Sequence, residues 1–117
     1  MQNLQIDVSY SGNNDEIAII KAKGYIDTIT TQTIEKILIN QIALKKYKLI
    51  VNLEKVSYIN SSGWGAFLRE IKEIRKENGD IVLVNMSPDV YSVFETMEFS
   101  NIFKYFDSVE AALKNFI

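Results

Sequence analysis

Two short runs, Lys48-Leu49-Ile50-Val51-Asn52-Leu53 and Ile81-Val82-Leu83-Val84, are apolar at nearly every position rather than at every second one. A strand that alternates needs cover on one face, whereas a strand that does not alternate needs cover on both, so these two belong inside a sheet. Between them the period changes. Trp64, Phe67, Leu68, Ile71 and Ile74 recur at i, i+3, i+4, i+7 and i+10, the stripe of an amphipathic helix. Strand, helix and strand in that order are the unit of an α/β sheet.

The flanking sequence extends the pattern. Leu4 to Tyr10 alternates as a half-buried strand, and the turn formers Ser11-Gly12-Asn13-Asn14-Asp15 send Glu16 to Ala22 back as its antiparallel partner. Gly24-Tyr25-Ile26-Asp27 then leads into a loop, where Thr30, Thr31 or Thr33 caps a helix carrying Ile34, Ile37, Leu38 and Ile42. Asn78-Gly79 supplies a residue able to adopt positive φ and ends the Trp64–Ile74 helix. Ser87-Pro88-Asp89 reads as cap, first helical position and acidic first turn, followed by Val90, Tyr91, Phe94 and Met97 on one face. A short extended piece, Ile102 to Phe106, precedes a last helix with Val109, Ala112, Leu113 and Phe116 inward. The sum, β-β-α-β-α-β-α-(β)-α, predicts one α/β domain over residues 1–117. Its sheet is mixed, with four to five strands, covered mainly by helices. Ile19, Ile50, Leu53, Ile81, Leu83, Phe67 and Leu68 are its expected buried core.

Composition removes several kinds of function. There is no cysteine, which excludes disulfides and thiolate sites and suits a reducing cytoplasm, and no histidine, the commonest general base and zinc ligand. No metal or cofactor is implied. A net charge of −2 argues against nucleic acid as a partner. No apolar run approaches the roughly 20 residues of a membrane span, and the start of the chain lacks the pattern of a secretory signal.

One turn stands out chemically. Asn60-Ser61-Ser62-Gly63-Trp64-Gly65 joins a strand to the first turn of a helix, where unpaired N–H groups and the positive end of the helix dipole face solvent. A phosphate on Ser62 would be favourably placed there, adding about −1.5 to −2 charge and three acceptors. The plain alternative is that the serines only cap the helix. Gly63-x-Gly65 is too short for a phosphate-binding fingerprint and better suits close packing of the helix start against the sheet. As a nucleophile, Ser62 lacks a base: no histidine exists, no lysine adjoins it, and Ile59-Asn60-Ser61-Ser62-Gly63 is not the Gly-x-Ser-x-Gly elbow. An enzyme is not expected.

Three segments together make the chain resemble the STAS domain of bacterial anti-sigma factor antagonists. Gly24-Tyr25-Ile26-Asp27 is similar to the family's Gly-x-Leu-Asp loop. Tyr58 to Gly65 is similar to the loop in which Asp-Ser-Ser/Thr-Gly-Leu-Gly holds the phosphorylated residue. Asn85-x-Ser87-Pro88-x-Val90-x-x-Val93-Phe94-Glu95, with Phe106-Asp107-Ser108-Val109-x-x-Ala112-Leu113, resembles the C-terminal half. The resemblance implies a module that binds an anti-sigma factor serine kinase and thereby frees a sigma factor. The kinase phosphorylates the module to end the complex, and a PP2C-type phosphatase resets it. It places the phospho-acceptor at Ser62, with Ser61 as neighbour and cap, its hydroxyl turned to the helix N–H groups while Ser62 points outward. Asp27, Asn60, Ser61 and Trp64 would belong to the partner-binding surface.

Two departures mark this chain. Asn60 stands where the family has aspartate, keeping the capping geometry and losing a charge. Trp64 replaces a leucine, and an indole partly exposed at the first turn would serve as an interface anchor. Asp27 also has a local reading, in which its carboxylate closes the turn after Gly24. The main competing function is a STAS scaffold without reversible phosphate, an accessory subunit of a stress-signalling or membrane-transport assembly.

Overall fold

The doubly apolar run Lys48–Leu53 is the core of the central strand, and the structure carries that strand on to Ile59. In the computed structural model, which describes residues 3–116, the elements in chain order are β1 (Gln5–Ser11), β2 (Ile17–Ile26), α1 (Thr31–Ala43), β3 (Lys48–Ile59), α2 (Ser61–Lys76), β4 (Asp80–Val84), α3 (Pro88–Thr96), β5 (Lys104–Phe106) and α4 (Val109–Asn115). Short 3-10 turns at Asn13–Asp15 and Phe99–Asn101 join β1 to β2 and α3 to β5. The sheet is mixed and five-stranded, in the order β1-β2-β3-β4-β5. β1 pairs antiparallel with β2, Ser9 opposite Ile19, and the other pairings are parallel.

α1, α2 and α3 cover one face of the sheet. Ile34, Leu38, Phe67, Ile71, Ile74, Val90 and Phe94 pack there against Ile20, Leu49, Val51, Leu53, Ile81 and Leu83. The other face is covered by α4 alone, whose Ala112, Val109 and Leu113 lie on Ile17, Ile50, Val82 and Val84. This asymmetry corrects part of the expected core. Ile50, Leu53, Ile81, Leu83 and Phe67 are fully buried, but Ile19 is half-buried because it lies on the thinly covered face. Leu68 is half-buried because it lines a groove between α2 and α3.

The Asn78-Gly79 stop works as the sequence suggests. Asn78 takes φ 62, its N–H reaches the Arg75 carbonyl at 3.1 Å, and the Gly79 N–H reaches that of Ile74 at 3.1 Å, a Schellman closure. Gly79 is required for another reason: a Cβ there would collide with the Tyr47 carbonyl. The expected threonine cap of α1 is corrected. Thr30 stands at the cap position, but its hydroxyl is spent on the Tyr25 carbonyl, at 2.7 Å, and caps no helical N–H.

Candidate functional site

β2 and β3 run parallel and end in register, Ile26 opposite Ile59, so the loops that follow them start side by side. The Asp27 loop and the head of α2 thus form one ridge on the C-terminal edge of the sheet. Asn60 ties them together. Its backbone N–H donates to the Ile26 carbonyl at 2.9 Å. Its Nδ2 donates to Thr28 Oγ1 at 3.2 Å, and its Oδ1 accepts from the Gly63 N–H at 3.1 Å.

That last bond makes Asn60, in extended conformation, the cap of α2, which corrects the expectation that Ser61 caps it. The sequence carried the signal, since asparagine is as good a cap as serine and sits one residue earlier. Ser61 and Ser62 are therefore the first and second helical residues. Their order of exposure is also the reverse of the expectation: Ser61 is exposed and Ser62 half-buried. Both still stand in the first turn, where N–H groups lack intrahelical partners. Segment 57–68 contains no charged side chain, so a phosphate there would meet no carboxylate from its own loop.

Gly63 sets how deeply the helix head sits. A Cβ at this position would lie 2.6 Å from Ile26 Cγ2 and 2.8 Å from Ile59 Cγ2, so only glycine lets α2 rest on the ends of both strands. Gly65 does not share the role expected for both glycines, because a Cβ there would meet only Arg69 Nη1, at 3.3 Å.

Asp27 adopts the local, turn-closing role. Its Oδ1 accepts from the Thr30 N–H at 2.9 Å and the Ile29 N–H at 3.0 Å, while its own N–H donates to Thr30 Oγ1 at 2.9 Å. The Thr30 N–H, with help from the Thr30 hydroxyl and the Ile29 N–H, holds this carboxyl below the usual carboxylate range against the opposing effect of burial. The turn lifts Ile29 into solvent at 78% exposure. That isoleucine was not singled out from the sequence, where it looks like one more loop residue.

Trp64 contradicts its expected exposure. It is only 3% exposed, stacked on Phe99 at 4.8 Å and set among Phe67, Phe94 and Phe103. The reason is helical period: Trp64 lies on the same stripe as Phe67 and Ile71, which faces the sheet. Its indole Nε1 is buried without an acceptor. The ring nonetheless contributes to a surface groove of about 350 Å³, bounded by Tyr58, Ser61, Leu68, Val93 and Met97.

Behind the ridge, α1 and α2 are clamped by charges that sequence patterning did not single out. Arg69 grips Glu35 in a two-point contact, 2.9 Å from Nε and 2.8 Å from Nη2. This holds Glu35 below the usual range, mainly through the hydrogen bond from Arg69. Glu70, buried beside them, is pushed up to about 7 by burial and by the Glu35 carboxylate, with Arg69 opposing. Among the described residues no helix is long and apolar enough to cross a membrane, and no cluster of three His, Cys, Asp or Glu could hold a metal ion.

The family model described as the STAS domain matches residues 12–112. BtrV of Bordetella bronchiseptica is 29% identical over 102 residues, covering 87% of this chain and 88% of the relative. The anti-sigma-B factor antagonist of Staphylococcus aureus is 27% identical over 93 residues, 80% of this chain and 83% of the relative. Among solved structures, the anti-sigma factor antagonist SpoIIAA in its unphosphorylated form superposes with a TM-score of 0.79 at 23% identity, covering 95% of each chain. A structure of SpoIIAA in the phosphorylated form gives 0.69 at 22% identity, covering 95% of this chain and 100% of the other.

Proposed function

From the premise that the chain belongs to the STAS-domain family of anti-sigma factor antagonists, we propose that it is a phosphorylation-gated partner of an anti-sigma factor serine kinase. In its unmodified state it occupies the kinase and leaves a sigma factor free. The kinase transfers phosphate to Ser62 and the complex parts; a PP2C-type phosphatase restores the binding form. The protein acts in the cytoplasm as a binding module, with no reaction of its own. The observation that carries this reading is the joining of the Asp27 loop and the Ser61-Ser62 head of α2 into one surface through Asn60. A binding site and a modification site share that surface, so a charge added to one is felt by the other. Ile29, Thr28, Asp27, Asn60 and Ser61 form the contact ridge, and Trp64 supports it from below.

The test is incubation with anti-sigma kinases and ATP, with the phosphate mapped by mass spectrometry in wild type, Ser62→Ala and Ser61→Ala. Labelling that disappears only in Ser62→Ala supports the assignment, and labelling that disappears only in Ser61→Ala moves the acceptor by one residue. No labelling by any kinase that binds the chain would leave the scaffold reading, a STAS subunit without reversible phosphate, in its place.

A further inference from the structure

The aspartate-to-asparagine departure at position 60 acquires a purpose from the bonds its side chain makes. Oδ1 accepts from the Gly63 N–H and Nδ2 donates to Thr28 Oγ1. A carboxylate here could keep the link only by accepting the Thr28 hydrogen, whereas the amide donates to Thr28 Oγ1 and leaves that hydrogen free. We propose that Thr28 is a positioning residue of the switch, its hydroxyl held by Asn60 so that the Asp27 loop and the phospho-acceptor turn reach the partner as one rigid surface. The proposal rests on the partner-switch reading of this surface.

Three features support it. The Thr28–Asn60 bond is an exposed side-chain link between two segments 32 residues apart, beyond the point where Gly63 seats the helix head on Ile26 and Ile59. Each side is stiffened within itself, by Asp27 and Thr30 in the loop and by the Asn60 cap in the helix. What remains to be fixed is the offset between them, which the bridge supplies together with the Asn60 N–H to Ile26 carbonyl bond. Because Thr28 Oγ1 accepts from Asn60, its own hydrogen remains available to an acceptor on the partner. Pre-organising the ridge lowers the entropy lost on docking.

A double-mutant cycle on the protein alone tests the bridge: Thr28→Val, Asn60→Ala and both together, read by amide exchange at Ile29 and Thr30. Each single change should speed exchange about 3- to 10-fold, the worth of one such hydrogen bond. The double change should add little to Asn60→Ala. Fully additive effects, or unchanged exchange, would overturn the bridge. The second arm measures phosphorylation by a kinase that labels the wild type. Thr28→Val should raise KM about 3- to 10-fold with kcat nearly unchanged, and Thr28→Ser should restore it. An unchanged KM in Thr28→Val refutes the positioning role alone. Failure of every kinase to label wild type refutes the switch reading and this role with it, while the cycle still reports whether the bridge exists.

Discussion

Replacing Gly63 by alanine, and separately Gly65 by alanine, makes the same chemical change two residues apart in one helix, yet the structure calls for opposite outcomes. Neither residue has a positive φ, so backbone strain plays no part. Alanine is the better helix former by about 1 kcal/mol, which favours both substitutions, somewhat less at the frayed first turn. At Gly65 nothing opposes that gain except the flexible tip of Arg69, 3.3 Å from the new Cβ. At Gly63 the new methyl would press on Ile26 Cγ2 at 2.6 Å and Ile59 Cγ2 at 2.8 Å, and these side chains are 0% and 5% exposed, with no room to yield. Overpacking of this kind costs typically about 1–3 kcal/mol. The net expectation is a loss of about 1–2 kcal/mol for Gly63→Ala and a gain of up to about 1 kcal/mol for Gly65→Ala. At roughly 4 °C per kcal/mol for a domain near this size, the two melting temperatures should differ by about 4–12 °C. Urea unfolding with unchanged m-values would show that the folded state carries the difference. If Gly63→Ala proves as stable as Gly65→Ala, the helix head does not rest on the two strand ends, and the geometry of the ridge is wrong.

Leu83→Ala, at a fully buried site in β4, should cost about 2–5 kcal/mol in chemical denaturation, enough to threaten a domain of this size. Glu70 makes stability fall as pH rises: its folded pKa lies near 7, above the ordinary 4.5, so its contribution is complete below about pH 4.5 and lost as pH rises through 7. Melting temperatures from pH 5 to 8 should show that decline, on the order of 1–3 kcal/mol, and Glu70→Gln should flatten it; an equal slope in both proteins would dismiss Glu70 as the cause. Phosphorylation at Ser62 should leave circular dichroism and melting temperature nearly unchanged, since a charge at a helix N-terminus is worth about 0.3–1 kcal/mol in its favour. A large drop in melting temperature would mean that the switch works by local unfolding. In calorimetry with the cognate kinase, the phosphorylated form should bind at least about a hundredfold more weakly than wild type, Ser62→Asp should lie between them, and Ser62→Ala should bind as wild type does; equal affinities throughout would eliminate gating.

Strand and helix periods made most of the fold legible. Where the reading slipped, a second requirement was acting on the same residues. The continuous apolar runs identified β3 and β4 because burial on both faces leaves no alternation to misread. The strand ends were harder to read. β3 continues to Ile59 through a segment in which pairs of exposed residues separate the buried Leu53, Val56 and Ile59, and β2, which still alternates, runs on through Gly24 to Ile26 with shifts in its register against β3 at Lys21/Lys23 and Gly24/Tyr25. In β3 such spacing breaks the period that would have announced the extra length. Ile19 was misjudged because a sequence shows which positions are apolar and not how thickly each face of a sheet is covered.

At the site, the structure brings together the two segments that the sequence singled out, but with different roles for their atoms. Asparagine and serine cap equally well, so the sequence offered Asn60 as readily as Ser61; the structure starts the helix at Ser61, with Asn60 Oδ1 capping it and Nδ2 free to reach Thr28. Trp64 was assigned to the surface by its place in the first turn and to the interior by its place in the stripe, and the stripe prevailed because an indole has far more area to remove from water than the turn has reason to expose. The Glu35–Arg69–Glu70 cluster had no local signature, because Glu35 and Arg69 meet only once α1 and α2 pack together. The same holds for the ridge itself. Its two halves lie more than thirty residues apart, and what brings them together is parallel pairing that ends with Ile26 opposite Ile59. A phosphate at the head of α2, as proposed above, would therefore stand beside the Asp27 loop because of strand register, and any change that slips β2 against β3 should uncouple the proposed switch from its proposed docking surface without touching either loop.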